Sequence, residues 1–415
     1  MSRASAGASV QGISQGRLVV KRGEGRLDCH PTMDSLSLTE GRRRLSLLAV
    51  NLCVLGVGIG IGALVPLMAL GLAARGIDAA VIGLNAAMFP LAVLLAGPLL
   101  PRLLARLGTL RALYLGLSLT ALTVLLMPAF PGLGAWFALR FLSGAVASIE
   151  WVISETWLNI IATERDRGRI MGFYASVLAA GFAIGPLMIS AVGVAGSLPF
   201  LLVALAMGLA ALPVFLAARL APAMPPHHPG SLGAALRAQP LVMACGLGGG
   251  LMDFALFALL PIYGLRHGLD ADSAVLLLSL FIGGNVLLQI PIGWLADLTG
   301  RRAALLASIV VTLLGALLLP LAIGSGPWLY PLLVLWGGTT FAIYTLGLGL
   351  LGDGAPPAQL AAANVALVMV YQIGSTLGPT LAGTAMDLIG PEGLVVVVAL
   401  AAAGLLAAFF KIGRS

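Results

Sequence analysis

The chain has 415 residues, of which 60% are hydrophobic and 9% are charged, and its mean hydropathy is +1.05. A soluble domain is typically about a quarter charged, so this composition excludes a soluble globular protein. The formal net charge of +7 does not by itself indicate a nucleic-acid partner, because short loops of membrane proteins also collect basic residues.

The first 44 residues are polar and lack the apolar core of a signal peptide. Such a segment cannot bury enough apolar surface to fold, so we expect residues 1–44 to form a disordered tail. Met33 lies within it and is, beside Met1, a second candidate for the translation start. N-terminal sequencing of the protein distinguishes the two.

From residue 45 onward, apolar runs long enough to cross a bilayer, about 20 residues each, recur to the C-terminus. The runs are continuous rather than alternating, which favours helices over a membrane β-barrel. The predicted fold class is an all-α polytopic membrane protein with twelve transmembrane helices. The predicted spans are Leu45–Ala73, Ala79–Leu100, Arg111–Pro131, Gly134–Ile161, Arg169–Val194, Ser197–Ala218, Leu241–Leu265, Ser273–Ala296, Arg302–Ile323, Trp328–Leu351, Gln359–Met386 and Leu394–Phe410.

An even number of spans places both termini on one side of the membrane. The loops of the other side hold Arg75 and Arg266, whereas the loops shared with the termini hold many more basic residues. Because short cytoplasmic loops are rich in Lys and Arg, both termini are predicted to be cytoplasmic. The basic residues on that side are Arg42, Arg43, Arg44, Arg102, Arg106, Arg111, Arg165, Arg167, Arg169, Arg219, Arg237, Arg301, Arg302, Lys411 and Arg414.

A proline-rich stretch divides the twelve spans into two sets of six. It reads APAMPPHHPGSLGAALRAQP over residues 221–240, which predicts a cytoplasmic linker at 220–240 between six-helix bundles at 45–219 and 241–415. His227 and His228 within it are adjacent and lack the spacing of metal ligands. No metal and no cofactor is expected, and Cys53 and Cys245 are interpreted as small packing residues.

The two halves repeat each other at three places with a nearly constant offset. Two parallel six-helix repeats predict a substrate site at their interface, near the membrane midplane. The matching features are Asp78 with Asp270, Gly108 with Gly300, and GFAIGP (181–186) with GSTLGP (374–379).

Both hexapeptides have the pattern Gly-x-x-x-Gly-Pro, with the glycines about one helical turn apart. Small residues at this spacing predict close packing against a neighbouring helix, and the proline allows the span to bend. Packing is the main role that we expect, and flexing during transport is compatible with it. The residues concerned are Gly181, Gly185, Pro186, Gly374, Gly378 and Pro379.

Several motifs resemble those of the major facilitator superfamily. The segment GWLADLTGRR between spans 8 and 9 is similar to the signature loop of that family, and ALRFLSGAVA (138–147) is similar to its fourth-span motif. GFAIGP resembles the fifth-span motif associated with antiporters. The first-half loop departs from the signature, with Pro101 and Ala105 where the family has Gly and Asp. The matching signature residues are Gly293, Leu295, Asp297, Gly300, Arg301 and Arg302.

Within the superfamily, Trp151 and Glu155 followed by RDRGRIMGFY (165–174) resemble the YcaD-like branch of bacterial carriers. The resemblance implies two six-helix bundles that rock about a central site, with the fourth span lining the cavity.

The signature loop suggests a cytoplasmic gate between the bundles. A carboxylate at Asp297 can cap the positive N-terminus of the fifth span, near Arg167 and Arg169. In the same arrangement Arg301 and Arg302 would meet Glu164 and Asp166. The alternative interpretation is that these arginines serve only to fix the orientation in the membrane.

The fourth span contains three charges in an otherwise apolar run. With Arg140 at 0° and about 100° per residue, Trp151 and Glu155 fall within about 60° on one side, and Glu150 falls about 80° on the other. This sector can face protein or a cavity rather than lipid. Along the axis the two acids lie about 15 and 22 Å from Arg140, so neither pairs with it. Each acid is a candidate proton carrier, or else a structural carboxyl hydrogen-bonded at a helix crossing.

Asp253 is the comparable residue of the second half, in the middle of the seventh span. It is expected to face the cavity, to pair across the interface or to carry a proton. Uncharged amides in other spans either line the cavity or bond between helices. The amides considered for the pathway are Asn51, Gln289 and Gln372, and further polar candidates are Asn85, Asn285, Tyr344 and Asn364.

These features predict a secondary active transporter of a bacterial inner membrane, which moves a small molecule by alternating access and is coupled to protons. Efflux is favoured over uptake by the fifth-span motif. No Walker loop, metal-ligand spacing or Gly-x-Ser-x-Gly motif occurs, so an enzyme is not expected. The chain is expected to act as a monomer in the lipid bilayer, without nucleic acid. The alternatives are an uptake carrier for a metabolite, or a protein of the same fold that senses or scaffolds without transport.

Overall fold

The computed structural model describes residues 40–163, 166–222, 237, 239–354 and 357–412. The predicted linker, with His227 and His228, lies largely outside these residues, as does most of the predicted tail. Twelve helices within the described ranges are long and apolar enough to cross a membrane, and the described residues contain no strand. The predicted fold class is therefore confirmed.

The helix bounds agree with the predicted spans to within a few residues. Several helices extend beyond the predicted apolar spans, because their end turns include charged residues that were assigned to the loops. The helices are α1 Glu40–Ala73, α2 Ala79–Leu107, α3 Thr109–Leu126, α4 Leu133–Ile161, α5 Arg167–Val192, α6 Leu198–Leu216, α7 Pro240–Arg266, α8 Ala271–Thr299, α9 Arg301–Ala322, α10 Leu329–Gly354, α11 Pro357–Ile389 and α12 Gly393–Ile412.

The segments predicted as the 2–3 and 8–9 loops are helical except for one glycine each. Gly108 ends α2 with φ 75°, and Gly300 ends α8 with φ 89°. Residues with a side chain rarely adopt these left-handed angles, so glycine allows the chain to reverse within a single residue. The signature residues therefore lie on the ends of two helices rather than on an extended loop.

Equivalent helices pack closely in each half. A Cβ atom at Gly185 of α5 would lie 2.3 Å from the backbone nitrogen of Ala63 in α1, and one at Gly378 of α11 would lie 2.1 Å from the carbonyl oxygen of Leu251 in α7. Gly181 and Gly374 make similar contacts one turn earlier. Only hydrogen fits at these positions, so both hexapeptides lie at backbone-to-backbone contacts within their own half.

The ends of the helices where α1 begins and α12 ends form what we call the terminal face, and the other ends form the opposite face. The two halves contact each other mainly through α2 with α11 and α5 with α8. Toward the opposite face, a Cβ at Gly83 of α2 would lie 2.0 Å from the carbonyl oxygen of Pro379 in α11. The bundles are thus closed tightly on this side.

Candidate functional site

Arg140 is a buried cation of α4, with 1% of its surface exposed. Its Cζ atom lies 5.3 Å from the centre of the Phe89 ring of α2, within the range of a cation–π contact. The buried Nε and Nη1 atoms have no hydrogen-bond partner among the described residues. Gly144, one turn later, brings the α2 backbone close, because its Cβ would lie 2.5 Å from the Phe89 carbonyl oxygen. The guanidinium therefore retains unused donors inside the protein.

The two acids of α4 have different surroundings. Glu150 is buried and accepts a hydrogen bond from the Ser154 hydroxyl, 2.8 Å away on the same helix. Glu155 is half-buried, like the neighbouring Trp151. Neither acid lies on an exposed helix face, in agreement with the angular position expected from the sequence.

Asp253 lies buried in α7 and is bonded within its own half. The Tyr371 hydroxyl of α11 donates to its Oδ2 atom over 3.0 Å, while Oδ1 has no partner among the described residues. The Tyr371 ring packs on that of Tyr344 at 4.7 Å between centroids. Sequence reasoning did not select Tyr371, although a phenol beside Gln372 in an apolar span was a usable signal. The carboxyl thus has one open hydrogen-bonding position.

The amides chosen from the sequence are partly satisfied. Asn51 donates to the Leu47 carbonyl oxygen over 2.8 Å, and its Oδ1 is buried without a partner among the described residues. The Oε1 atoms of Gln289 and Gln372 are likewise buried without a partner among the described residues. Unpaired buried acceptors are costly unless a water or a ligand supplies a donor. These positions are compatible with a polar passage but do not define its course.

A cavity of about 410 Å³ lies between α1 and α5 at the terminal face. Its wall combines apolar side chains with the guanidinium groups of two arginines. No group of three or more His, Cys, Asp or Glu residues in the described ranges is arranged to hold a metal ion. The cavity is lined by Arg44, Leu47, Leu48, Asn51, Asp166, Arg169, Ile170 and Phe173.

Asp166 precedes α5 and forms an ion pair with Arg43 of α1. Its carboxylate also accepts hydrogen bonds from the backbone and the hydroxyl of Thr163, both at 2.7 Å. The hydrogen bond from Arg43, followed by that from Thr163, lowers the pKa of Asp166 to about 2. The expected contact from Arg301 to Asp166 is therefore not formed, because Arg43 of the same half takes that place.

The second-half residues of the predicted gate are either bonded within their own half or exposed. Arg301 donates to the Gly349 carbonyl oxygen over 2.7 Å and to the Asp353 carboxylate, so it joins α9 to α10 within the second half. Asp297 and Arg302 are exposed, as is Gly293, and among the described residues no hydrogen bond joins these three to the first half. Arg169 lines the cavity at α5. The side chains of Arg167 and Glu164 lie outside the described residues.

The hydrogen bonds that we find between the two halves lie at the opposite face. The Asp387 carboxylate of α11 accepts from the backbone nitrogens of Ala79 and Ala80 at the start of α2, over 3.1 and 2.7 Å. Ser190 at the end of α5 donates to Asp272 at the start of α8 over 3.4 Å. Hydrogen bonds thus hold the two halves together at the opposite face, while Asp297, the acid of the signature segment, is exposed at the terminal face.

Comparison with known proteins agrees with this architecture. The family model of the Major Facilitator Superfamily matches residues 50–379 and 268–414. The "Uncharacterized MFS-type transporter YfkF" of Bacillus subtilis is 30% identical over 343 residues, which cover 80% of this chain and 86% of the relative. The "Uncharacterized MFS-type transporter YcaD" of Shigella flexneri is 28% identical over 299 residues, covering 71% and 76%.

Two solved structures share the fold at low sequence identity. The nucleoside transporter NupG is 16% identical with a TM-score of 0.67, covering 90% of this chain and 99% of its own. A bacterial homologue of the human lysosomal transporter Spinster, in an inward-facing and unoccupied conformation, is 15% identical with a TM-score of 0.70, covering 90% and 97%. The twelve helices, the signature residues and these matches lead to one conclusion: the chain belongs to the major facilitator superfamily of membrane transporters and resembles its YcaD-like members.

Proposed function

We propose that this chain is a secondary active transporter that moves a small molecule by alternating access and couples this movement to protons. The observation that carries the proposal is the asymmetry between the two faces. The halves are bonded together at the opposite face, whereas Asp297 is exposed at the terminal face and has no hydrogen bond to the first half among the described residues. A transporter that rocks about a central site alternates between a state closed at one face and a state closed at the other.

Asp253 is the first candidate for the coupling proton. An ionised carboxylate is costly to bury unless a cation or several donors compensate for its charge. Asp253 has one donor, the Tyr371 hydroxyl, and its Oδ1 atom has no partner among the described residues. A bound proton removes the charge, and loss of that proton to water favours a conformation that wets the carboxyl. Glu150 and Glu155 are the alternative carriers on α4.

Arg140 is proposed to position the substrate or to tune a neighbouring acid. Its unpaired Nε and Nη1 donors can bind an acceptor group, such as a carboxylate or a carbonyl oxygen. Asn51, Gln289 and Gln372, whose buried amide oxygens have no partner among the described residues, would add acceptors along the path. The terminal face, rich in arginine, is proposed to be cytoplasmic, and efflux is favoured by the Gly-x-x-x-Gly-Pro motif of α5.

The test uses the purified protein in liposomes that contain a pH-sensitive dye. A pH gradient is imposed and compounds from a panel are added, chosen first by growth screens of deletion and overexpression strains. We expect proton flux that depends on one class of compound and is absent from empty liposomes. If no compound on the panel moves protons or accumulates against its gradient, a sensing or scaffolding role replaces this proposal.

A further inference from the structure

The start of α2 is capped from the other half of the molecule. Asp387 lies near the end of α11, and its two carboxylate oxygens accept hydrogen bonds from the backbone nitrogens of Ala79 and Ala80, the first residues of α2. The first N–H groups of a helix have no partner within the helix, and the helix dipole makes this end positive. The Asp387 carboxylate thus satisfies two donors and compensates a partial positive charge.

The equivalent helix start in the second half of the chain, that of α8, is capped in a different way. Asp270, at the start of α8, caps its own helix by accepting a hydrogen bond from the Ser273 backbone nitrogen over 2.7 Å. Asp78 occupies the equivalent position before α2, but its side chain makes no capping hydrogen bond. The first half therefore leaves its helix start open to Asp387, whereas the second half closes the equivalent start by itself.

Arg266 holds the Asp387 carboxylate in place from within the second half. Its guanidinium donates to the Asp387 Oδ1 atom over 2.6 Å and to the Met386 carbonyl oxygen over 2.7 Å. The carboxylate therefore stays at the end of α11 whether or not α2 is near. Close backbone contact supports the same junction, since a Cβ at Gly383 would lie 2.2 Å from the Ala79 carbonyl oxygen.

We propose that Asp387 is the gating residue of the opposite face: it holds the two halves together there by capping α2, with Arg266 as its positioning residue, and must release α2 whenever that face opens. This inference rests on the alternating-access function proposed above. The cap is made by one side chain and two backbone groups, so it can form and break as a unit when the halves rock.

The test measures the opening of this face directly. Spin labels are attached to cysteines at Ala74 and Leu388, which are exposed near the ends of α1 and α11, in a background without Cys29, Cys53 and Cys245. Distances between the labels are measured by electron–electron double resonance in lipid nanodiscs. For Asp387→Asn we expect the ratio of open to closed molecules to rise about two- to fivefold, the value that follows from losing one charge–dipole contact.

Asp270→Asn is the matched control, because Asp270 lies at the same face but caps a helix of its own half. The distances between the spin labels in this variant should equal those in the parent protein. Arg266→Gln should shift the ratio in the same direction as Asp387→Asn, and Asp387→Glu should shift it less. Only variants that elute as a single symmetrical peak are compared. An unchanged ratio in both Asp387→Asn and Arg266→Gln overturns the inference. A shifted ratio without any substrate-dependent proton flux supports the gate and contradicts the proposed transport instead.

Discussion

Single side chains in this protein are informative because most of the molecule is apolar. Arg140 and Asp253 are both buried, and each has hydrogen-bonding atoms without partners among the described residues. In a soluble protein such groups would be paired or exposed. In a membrane span they indicate a place that a proton, water or substrate can occupy.

Asp253→Asn should abolish proton-coupled transport while the protein still folds, because the amide has nearly the same shape but cannot exchange a proton. We expect the pH-driven rate to fall by about a hundredfold or more, as is typical when a proton-transfer group is removed. Exchange of substrate at equal pH on both sides should continue. Tyr371→Phe, which removes the hydrogen bond and keeps the acid, is the matched control. Full pH-driven transport by Asp253→Asn would move the role to Glu150 or Glu155.

The Arg43–Asp166 pair predicts a pH dependence of stability. The pKa of Asp166 is lowered to about 2 in the folded protein, mainly by Arg43. A lowered pKa means that the pair stabilises the fold above the ordinary pKa of aspartate and that this contribution is lost as the pH falls toward 2. The unfolding temperature of Asp166→Asn should therefore lie below that of the wild type at neutral pH, and the difference should shrink between about pH 4 and 2. A difference that does not change with pH contradicts this account; Asp297→Asn is the control.

The close packing of helices in this protein depends on glycines, which have no side chain to keep two backbones apart. In a lipid environment close packing between helices replaces much of the hydrophobic driving force, and the α5–α1 and α11–α7 pairs show it at Gly185 and Gly378. The first contact lies within the first half and the second within the second half, so each stabilises one bundle as a rigid body. Pro186 and Pro379 lie inside α5 and α11, where flexing during transport is compatible with this packing.

Gly378→Ala should destabilise the second bundle, because the new Cβ would lie 2.1 Å from the Leu251 carbonyl oxygen and the backbones must separate. Overpacking of this kind typically costs about 1–3 kcal/mol. We expect a lower unfolding temperature in detergent, measured by the fluorescence of a thiol-reactive dye as Cys245 becomes exposed. Gly283→Ala is the control, since outside its own turn of helix no described atom lies within 4 Å of its Cβ position. Equal unfolding temperatures for the two variants would contradict this explanation.

At the scale of the whole molecule, the second half carries a carboxylate at each face. Asp387 caps α2 in the state described here, and Asp297 is exposed at the terminal face. We propose that Asp297 performs the equivalent role in the inverse state, by approaching the start of α5. The two acids would then stabilise alternate conformations of the same carrier.

Asp297→Asn should therefore change transport turnover with little loss of folded protein. One charge–dipole contact contributes about 0.3–1 kcal/mol, enough to shift the ratio of two conformations about two- to fivefold. Turnover in liposomes is compared with the amount of monodisperse protein, and Asp270→Asn serves as control. Turnover equal to that of the wild type would leave the signature residues with a topological role only.

The sequence by itself determined the twelve spans and the family, because apolar length and the signature residues are local properties. The division into two six-helix bundles stays a prediction. The sequence also identified the charged residues of α4 and α7, since a charge inside an apolar run needs no structure to be noticed. The partners were decided by the tertiary structure alone. Arg301 binds Asp353 rather than Asp166, Tyr371 binds Asp253, and Asp387 caps α2. Partner choice depends on which helices meet in the folded molecule, and residues 52, 118 and 307 positions apart along the chain carry no local pattern that states this.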